Sequence, residues 1–294
     1  MKPLVGTSLV AVACLLLSST MISQTLQSGF AEIEGRKVYY ETKGEGAAVL
    51  FIHGFSLDTR MWDDQFDTFA KQYRAVRYDV SGYGRSTIPD SVISSSDEIA
   101  ALLKSLHIDK ATVIGMSQGG RVAIKFALDY PQMVDALITL SSALDGFQFS
   151  NGVQTRMKRY TTIAKDSGLA KAKEAWLKDP FLTPQTDAPS VRNKIRKIVT
   201  DWSGIQFSTP NLWSFKQTLP AAIHRLDKIK VPTLAIVGEK DEQDMHAIAD
   251  TLVANIAGAR KIVIAGSGHL LNLERADEFN KIVLDFLSTN VPHR

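Results

Sequence analysis

The chain has 294 residues, 45% hydrophobic and 22% charged, which is enough ordinary globular sequence for one large α/β domain with a sizeable insertion. Its net charge is only +3, and Lys and Arg form no long run. Nucleic-acid binding is thereby excluded as the expected role, because neutralising phosphates takes a concentrated basic surface.

The N-terminus reads MKPLVGTSLVAVACLLLSSTMISQT, and Lys2 is its only charge before Glu32. Leu9 to Leu17 are nine unbroken apolar residues, too few to span a bilayer. A basic start, an apolar stretch and then small polar residues describe a secretory signal over residues 1–24. The expected location is therefore secreted or periplasmic, with no membrane span in the mature chain. Ala11-Val12-Ala13-Cys14 loosely resembles a lipoprotein cleavage box, but Leu is missing three before the cysteine, so a plain signal is preferred. Cys14 is the only cysteine; a mature chain without it has no disulfide, no thiol catalysis and no Cys-based metal site.

After about residue 28 the pattern alternates. FAEIEGRKVYYET reads as two short strands around Glu34-Gly35. Ala48 to Ile52 is a buried strand, 60–70 a helix with Trp62, Phe66 and Phe69 on one face, and 75–78 a strand ending at Asp79. Residues 97–106 are helical, followed by strand 111–115, helix 118–129 and strand 134–141. The rhythm resumes with strand 233–237, helix 245–256, strand 260–264 and helix 275–287. Strands alternating with helices predict a mostly parallel sheet with helices on both faces.

Between 144 and 222 the rhythm breaks into helical pieces and prolines with no clear strand. This stretch reads as a helical cap over the C-terminal edge of the sheet, where open α/β sheets bind ligands. It divides the core into 25–143 and 223–294. The cap carries twelve Lys and Arg against six Asp and Glu. Exposed helix faces account for that excess better than a lid for anions does. Trp176, Trp202 and Trp213 lie within the cap and are candidates to line a substrate pocket, although each is individually better read as cap core.

The stretch GMSQGG, residues 115–120, joins a strand to a helix. Gly-x-Ser-x-Gly in that setting is a nucleophile elbow, in which small flanking residues permit a tight turn and Ser117 stands above the sheet edge. The bland alternative is that Ser117 only caps the helix. The amide of Gln118 opens that helix, where free N–H groups favour an oxyanion. A serine needs a base. Of six histidines, His269 alone follows a strand in a glycine-lined loop, Gly266-Ser267-Gly268. Asp241, in GEKD after strand 233–237, is the preferred orienting acid, and Asp145, after strand 134–141, is its rival. His53-Gly54-Phe55 ends the first buried strand; Gly54 allows close approach to the serine, the Phe55 amide is the second oxyanion donor, and His53 reads as structural. Asp79 reads as a loop organiser.

HGFSLDTRMWDDQ, RYDVSGYGRS, VIGMSQGG, VGEKDEQ and GSGHLLNLE occur in the order and spacing of the α/β-hydrolase superfamily. Over about residues 30–290 the chain resembles its cap-bearing esterase, enol-lactonase and cofactor-free haloperoxidase branch. The resemblance implies an α/β-hydrolase fold and Ser117, Asp241 and His269 as the triad. It further implies oxyanion donors at Phe55 and Gln118, with neither metal nor organic cofactor. Ser rather than Asp at position 117 rules out the haloalkane dehalogenase and epoxide hydrolase reactions. The expected substrate is a small ester or lactone. C–C bond hydrolysis, thioester hydrolysis and ligand binding with slow catalysis stay open, because one fold hosts many reactions.

Overall fold

The computed structural model describes residues 25–92, 94–209 and 219–291. The signal at 1–24 and Trp213 lie outside the described residues. Strands β1 (Gln27–Ile33) and β2 (Arg36–Lys43) form a hairpin whose two turn residues, Glu34 and Gly35, both have positive φ. Then follow β3 (Ala48–Ile52), β4 (Arg74–Tyr78), β5 (Ala111–Met116), β6 (Val134–Leu140), β7 (Thr233–Gly238) and β8 (Arg260–Ile264). They form one eight-stranded sheet in the order β1-β2-β4-β3-β5-β6-β7-β8. β2 runs antiparallel to β1 and β4, and every other pairing is parallel. All residues of β3, β5 and β7 are buried, as expected of parallel strands covered on both faces.

The covering helices match the sequence rhythm with shifted ends. The helix expected over 60–70 begins as a 3-10 turn at Thr59–Trp62, because the Asp58 carboxylate accepts the Arg60 amide. The α-helix proper is α1 (Asp63–Phe69). Helix α2 (Ser95–Ser105) starts earlier than its apolar spacing suggests, since Ser94 caps it by accepting the Asp97 amide. Helix α3 (Gln118–Asp129) follows β5 directly.

Between β6 and β7 the described residues form α4 (Asn151–Ser167), α5 (Leu169–Trp176), a 3-10 turn at Pro180–Leu182, α6 (Pro189–Asp201) and α7 (Ile205–Ser208). No strand occurs among them. Gly168, at φ +88°, separates α4 from α5. These helices touch loops that leave the C-terminal ends of the strands. The Trp176 indole donates to Ser56 Oγ at 2.7 Å, Gln206 donates to the Gly82 carbonyl at 3.0 Å, and Arg156 pairs with Glu242 at 2.8 Å. Part of the basic excess is thus spoken for: Arg156 and Lys194 pair with core acids Glu242 and Asp64. The chain closes with α8 (Gln243–Asn255), α9 (Leu271–Glu274) and α10 (Ala276–Asn290). Among the described residues no helix is long and apolar enough to cross a membrane.

Candidate active site

Ser117 stands between β5 and α3 with φ 52° and ψ −114°. Such a backbone costs a non-glycine residue on the order of 1–3 kcal/mol. It persists because the surrounding packing fixes it. A Cβ on Gly115 would lie 2.2 Å from the Gly119 carbonyl, and one on Gly119 would lie 2.3 Å from the Ile52 carbonyl. Only glycines let α3 press this close to β3 and β5. The Ser117 hydroxyl makes no capping hydrogen bond to α3. It lines a cavity of about 330 Å³ instead, together with His269.

The structure brings His269 and Asp241 together: Nδ1 lies 3.0 Å from both carboxylate oxygens. Asp241 also accepts the Glu242 amide at 2.8 Å. Burial alone would raise its carboxyl, but the adjacent His269 and the Glu242 amide hold it below the ordinary carboxylate value. Asp145 is placed elsewhere, 3.4 Å from Arg121. This Nδ1 contact is the one an orienting carboxylate makes to the imidazole of a Ser-His-Asp relay.

Phe55 and Gln118 border the same cavity. The Gln118 amide is in the first turn of α3, so it has no partner within the helix. The Phe55 ring is caged by Tyr83, Trp176, Trp202 and Phe207, at centroid distances of 5.3 to 6.3 Å. That cage anchors the loop carrying its amide. A Cβ on Gly54 would meet the Met116 sulfur at 2.6 Å and Ser117 Cβ at 3.6 Å, so the loop lies directly against the serine. Trp176 lines the cavity, whereas Trp202 packs behind Phe55 and donates to Gln206 at 2.8 Å.

His53 and Asp79 hold the scaffold. His53 Nε2 accepts the Val80 amide at 3.0 Å, and Nδ1 donates to the Gly54 carbonyl at 2.8 Å, which fixes a neutral ring. Burial lowers its pKa accordingly. Asp79, raised by burial, accepts the Thr59 and Arg85 amides.

Three residues that sequence reasoning passed over shape the site. The Phe181 ring packs on the His269 ring at 4.3 Å. Ser56, at φ 62°, accepts the Trp176 indole beside Phe55. Glu274 accepts the Gly268 amide at 3.0 Å and the Gln185 and Thr186 amides at 2.7 and 3.1 Å, tying the His269 loop to the cap. Among the described residues, no group of three His, Cys, Asp or Glu is arranged to hold a metal ion.

A doubly covered, mostly parallel sheet with a serine at a strand-to-helix elbow is the architecture of α/β hydrolases. The chain belongs to the alpha/beta hydrolase family, whose profile matches residues 49–282. It is 28% identical to a 2-hydroxy-6-oxononadienedioate/2-hydroxy-6-oxononatrienedioate hydrolase of Paraburkholderia phymatum, over 85% of this chain and 91% of that protein. It is 26% identical to a 2-hydroxy-6-oxo-6-phenylhexa-2,4-dienoate hydrolase of Burkholderia cepacia, over 92% and 99%. Among solved structures it superposes on the enol-lactonase of Burkholderia xenovorans LB400 with a TM-score of 0.75 and 26% identity, covering 88% of this chain and 100% of that one.

Proposed function

We propose that the chain is a serine hydrolase that cleaves a small carboxylic ester or lactone through an acyl-enzyme on Ser117. The observation that carries this reading is the cavity itself, which joins Ser117 and His269 to mostly apolar walls such as Leu57, Met116, Phe149 and Met157. Its volume of about 330 Å³ suits a small acyl group. His269, oriented by Asp241, takes the Ser117 proton as the oxygen attacks the carbonyl. The amides of Phe55 and Gln118 hold the oxyanion, each donor contributing roughly 10²–10³ in rate. His269 protonates the leaving alcohol, and a water deprotonated by His269 then releases the acid. The likeness to an enol-lactonase supports a lactone as one substrate.

A second reading is carbon–carbon bond hydrolysis. A 2-hydroxy-6-oxo-dienoate carries no ester, so hydrolysing one breaks a carbon–carbon bond, and two similar proteins are named for such acids. Arg121, one turn beyond Ser117, lines the cavity; its guanidinium is 3.4 Å from Asp145 and has several donors, so it can meet a substrate carboxylate as well as that partner.

A panel of p-nitrophenyl esters, lactones, thioesters and a 2-hydroxy-6-oxo-dienoate, run beside Ser117→Ala, decides between them. Ester or lactone turnover that vanishes in Ser117→Ala is the expected result. Turnover of the dienoate alone, lost in Arg121→Ala, replaces it with the second reading. A Ser117→Ala enzyme as active as the wild type overturns both. The proposed export of the mature chain is checked by the intact mass of protein recovered from cells, which should lack about the first 24 residues.

A further inference from the structure

His269 borders two cavities. One is the apolar cavity that holds Ser117. The other, of about 300 Å³, is lined by Gln185, Lys240, Glu242 and Gln243 with Pro180 and Asp241. The wall between them is the turn Pro180–Leu182: Phe181 and Leu182 face the apolar side, Pro180 faces the polar side, and the Phe181 ring lies on His269.

That wall is latched from below. Asp179 caps the turn by accepting the Phe181 amide at 2.9 Å. Its fully buried carboxylate also accepts the Tyr160 hydroxyl at 2.5 Å and pairs with Arg156 at 2.8 Å. Arg156 reaches on to Glu242 at 2.8 Å and lies over the Phe181 ring at 5.1 Å. One arginine therefore grips the cap, the partition and a wall residue of the polar cavity.

We propose that the polar cavity is a water port serving the second half of the reaction. This rests on the acyl-enzyme reading above. The cavity that takes the acyl group is walled mostly by apolar side chains, with Gln118, Arg121 and Gln154 as its polar exceptions beside Ser117 and His269, whereas the cavity behind His269 is lined almost entirely by polar ones that can hold water. Water enters past Gln185 and Lys240 and reaches His269 at the edge of the Phe181 turn. In deacylation the water oxygen bonds to the acyl carbon and one water proton passes to His269. The bond from that carbon to Ser117 Oγ then breaks, and the proton returns to the serine. The products are the free acid and the starting enzyme.

The test is partition of the acyl-enzyme between water and n-butanol, read as the ratio of acid to butyl ester formed from a p-nitrophenyl ester. Butanol, being apolar at one end, enters by the apolar cavity. Gln185→Trp and Lys240→Trp narrow the port from opposite sides. Each is expected to shift the ratio toward ester by at least about fivefold. The kcat/KM for p-nitrophenol release, which reports acylation, should stay within about twofold. Gln185→Ala, which widens the port, shifts the ratio toward acid and serves if the bulky variants do not fold. A ratio unchanged in all folded variants overturns the port, as does the absence of butyl ester from every enzyme. Failure of the underlying reading shows separately, as p-nitrophenol release that survives Ser117→Ala.

Discussion

Gly119 shows how finely the elbow is fitted. The atoms that a side chain there would strike are the backbone carbonyls of Ile52 and His53, at 2.3 and 2.5 Å, and neither can swing aside. Gly119→Ala is expected to cost at least about 2 kcal/mol in a denaturant melt. Gly152→Ala, at a helical site with only Ser150 Oγ at 4.0 Å, should be neutral or gain up to about 1 kcal/mol. Equal losses would show that crowding is not what selects glycine at 119. Under the proposed mechanism, Asp241→Asn should lower kcat by about 10³–10⁴, because the wrong imidazole tautomer is then held, while Asp145→Asn stays within about tenfold of wild type.

His53 sets a pH dependence of stability. Its folded pKa lies below its ordinary 6.5, so the unfolded chain binds the proton first. Its contribution is present above about pH 6.5 and fades as pH falls below that value. The thermal midpoint should drop between pH 7 and 5.5, and the slope should flatten in His53→Gln. Much of this residue-scale architecture is legible in the sequence, because an elbow, a strand end and a glycine loop are local patterns. The grip of Arg156 on Glu242 and of Glu274 on Gln185 spans 86 and 89 residues, and no local period encodes such pairs.

At the scale of elements, apolar runs locate the strands closely. Ala48–Ile52, buried along its whole length, has abrupt ends and matches its expected bounds, and so does the edge strand Arg260–Ile264, although only Ile264 of it is buried. Helix starts are less legible because a polar cap decides them, as Asp58 does ahead of α1 and Ser94 ahead of α2. α9 is a four-residue helix that periodicity cannot detect, yet it carries Glu274. Glu274→Ala leaves three amides without their acceptor and frees the loop before His269. We expect a loss of about 3 kcal/mol in the melt. If only kcat fell while stability held, Glu274 would be acting on the chemistry rather than on the loop.

At the scale of the molecule, the cap sits on the core through hydrogen bonds such as Trp176 to Ser56, through ion pairs and through an apolar cage, and the last two differ in their response to salt. Arg60–Asp201 and Lys194–Asp64 are partly exposed ion pairs, which salt screens. The cage of Phe55, Trp176, Trp202 and Phe207 is apolar and insensitive to salt. Tryptophan emission should therefore keep its wavelength between about 0.05 and 1 M NaCl, and shift to the red in Phe55→Ala. A red shift with salt alone would mean that charge, not the cage, seats the cap. That the cap lies over the strand ends follows from where the strand rhythm stops; which aromatic fills which gap does not, because shape fit is settled only when all the pieces meet.

β6 pairs with β7 across the entire cap, Leu140 beside Ile236. Ser117 precedes that long excursion, and Asp241 and His269 follow it. A ribosome delivers the chain from its N-terminus at about 5–20 residues per second, so Ser117 emerges many seconds before His269. Every unfinished chain therefore carries an unactivated hydroxyl. Under the hydrolase reading, the enzyme is chemically silent throughout its own synthesis and turns on only when its final segment has joined the sheet.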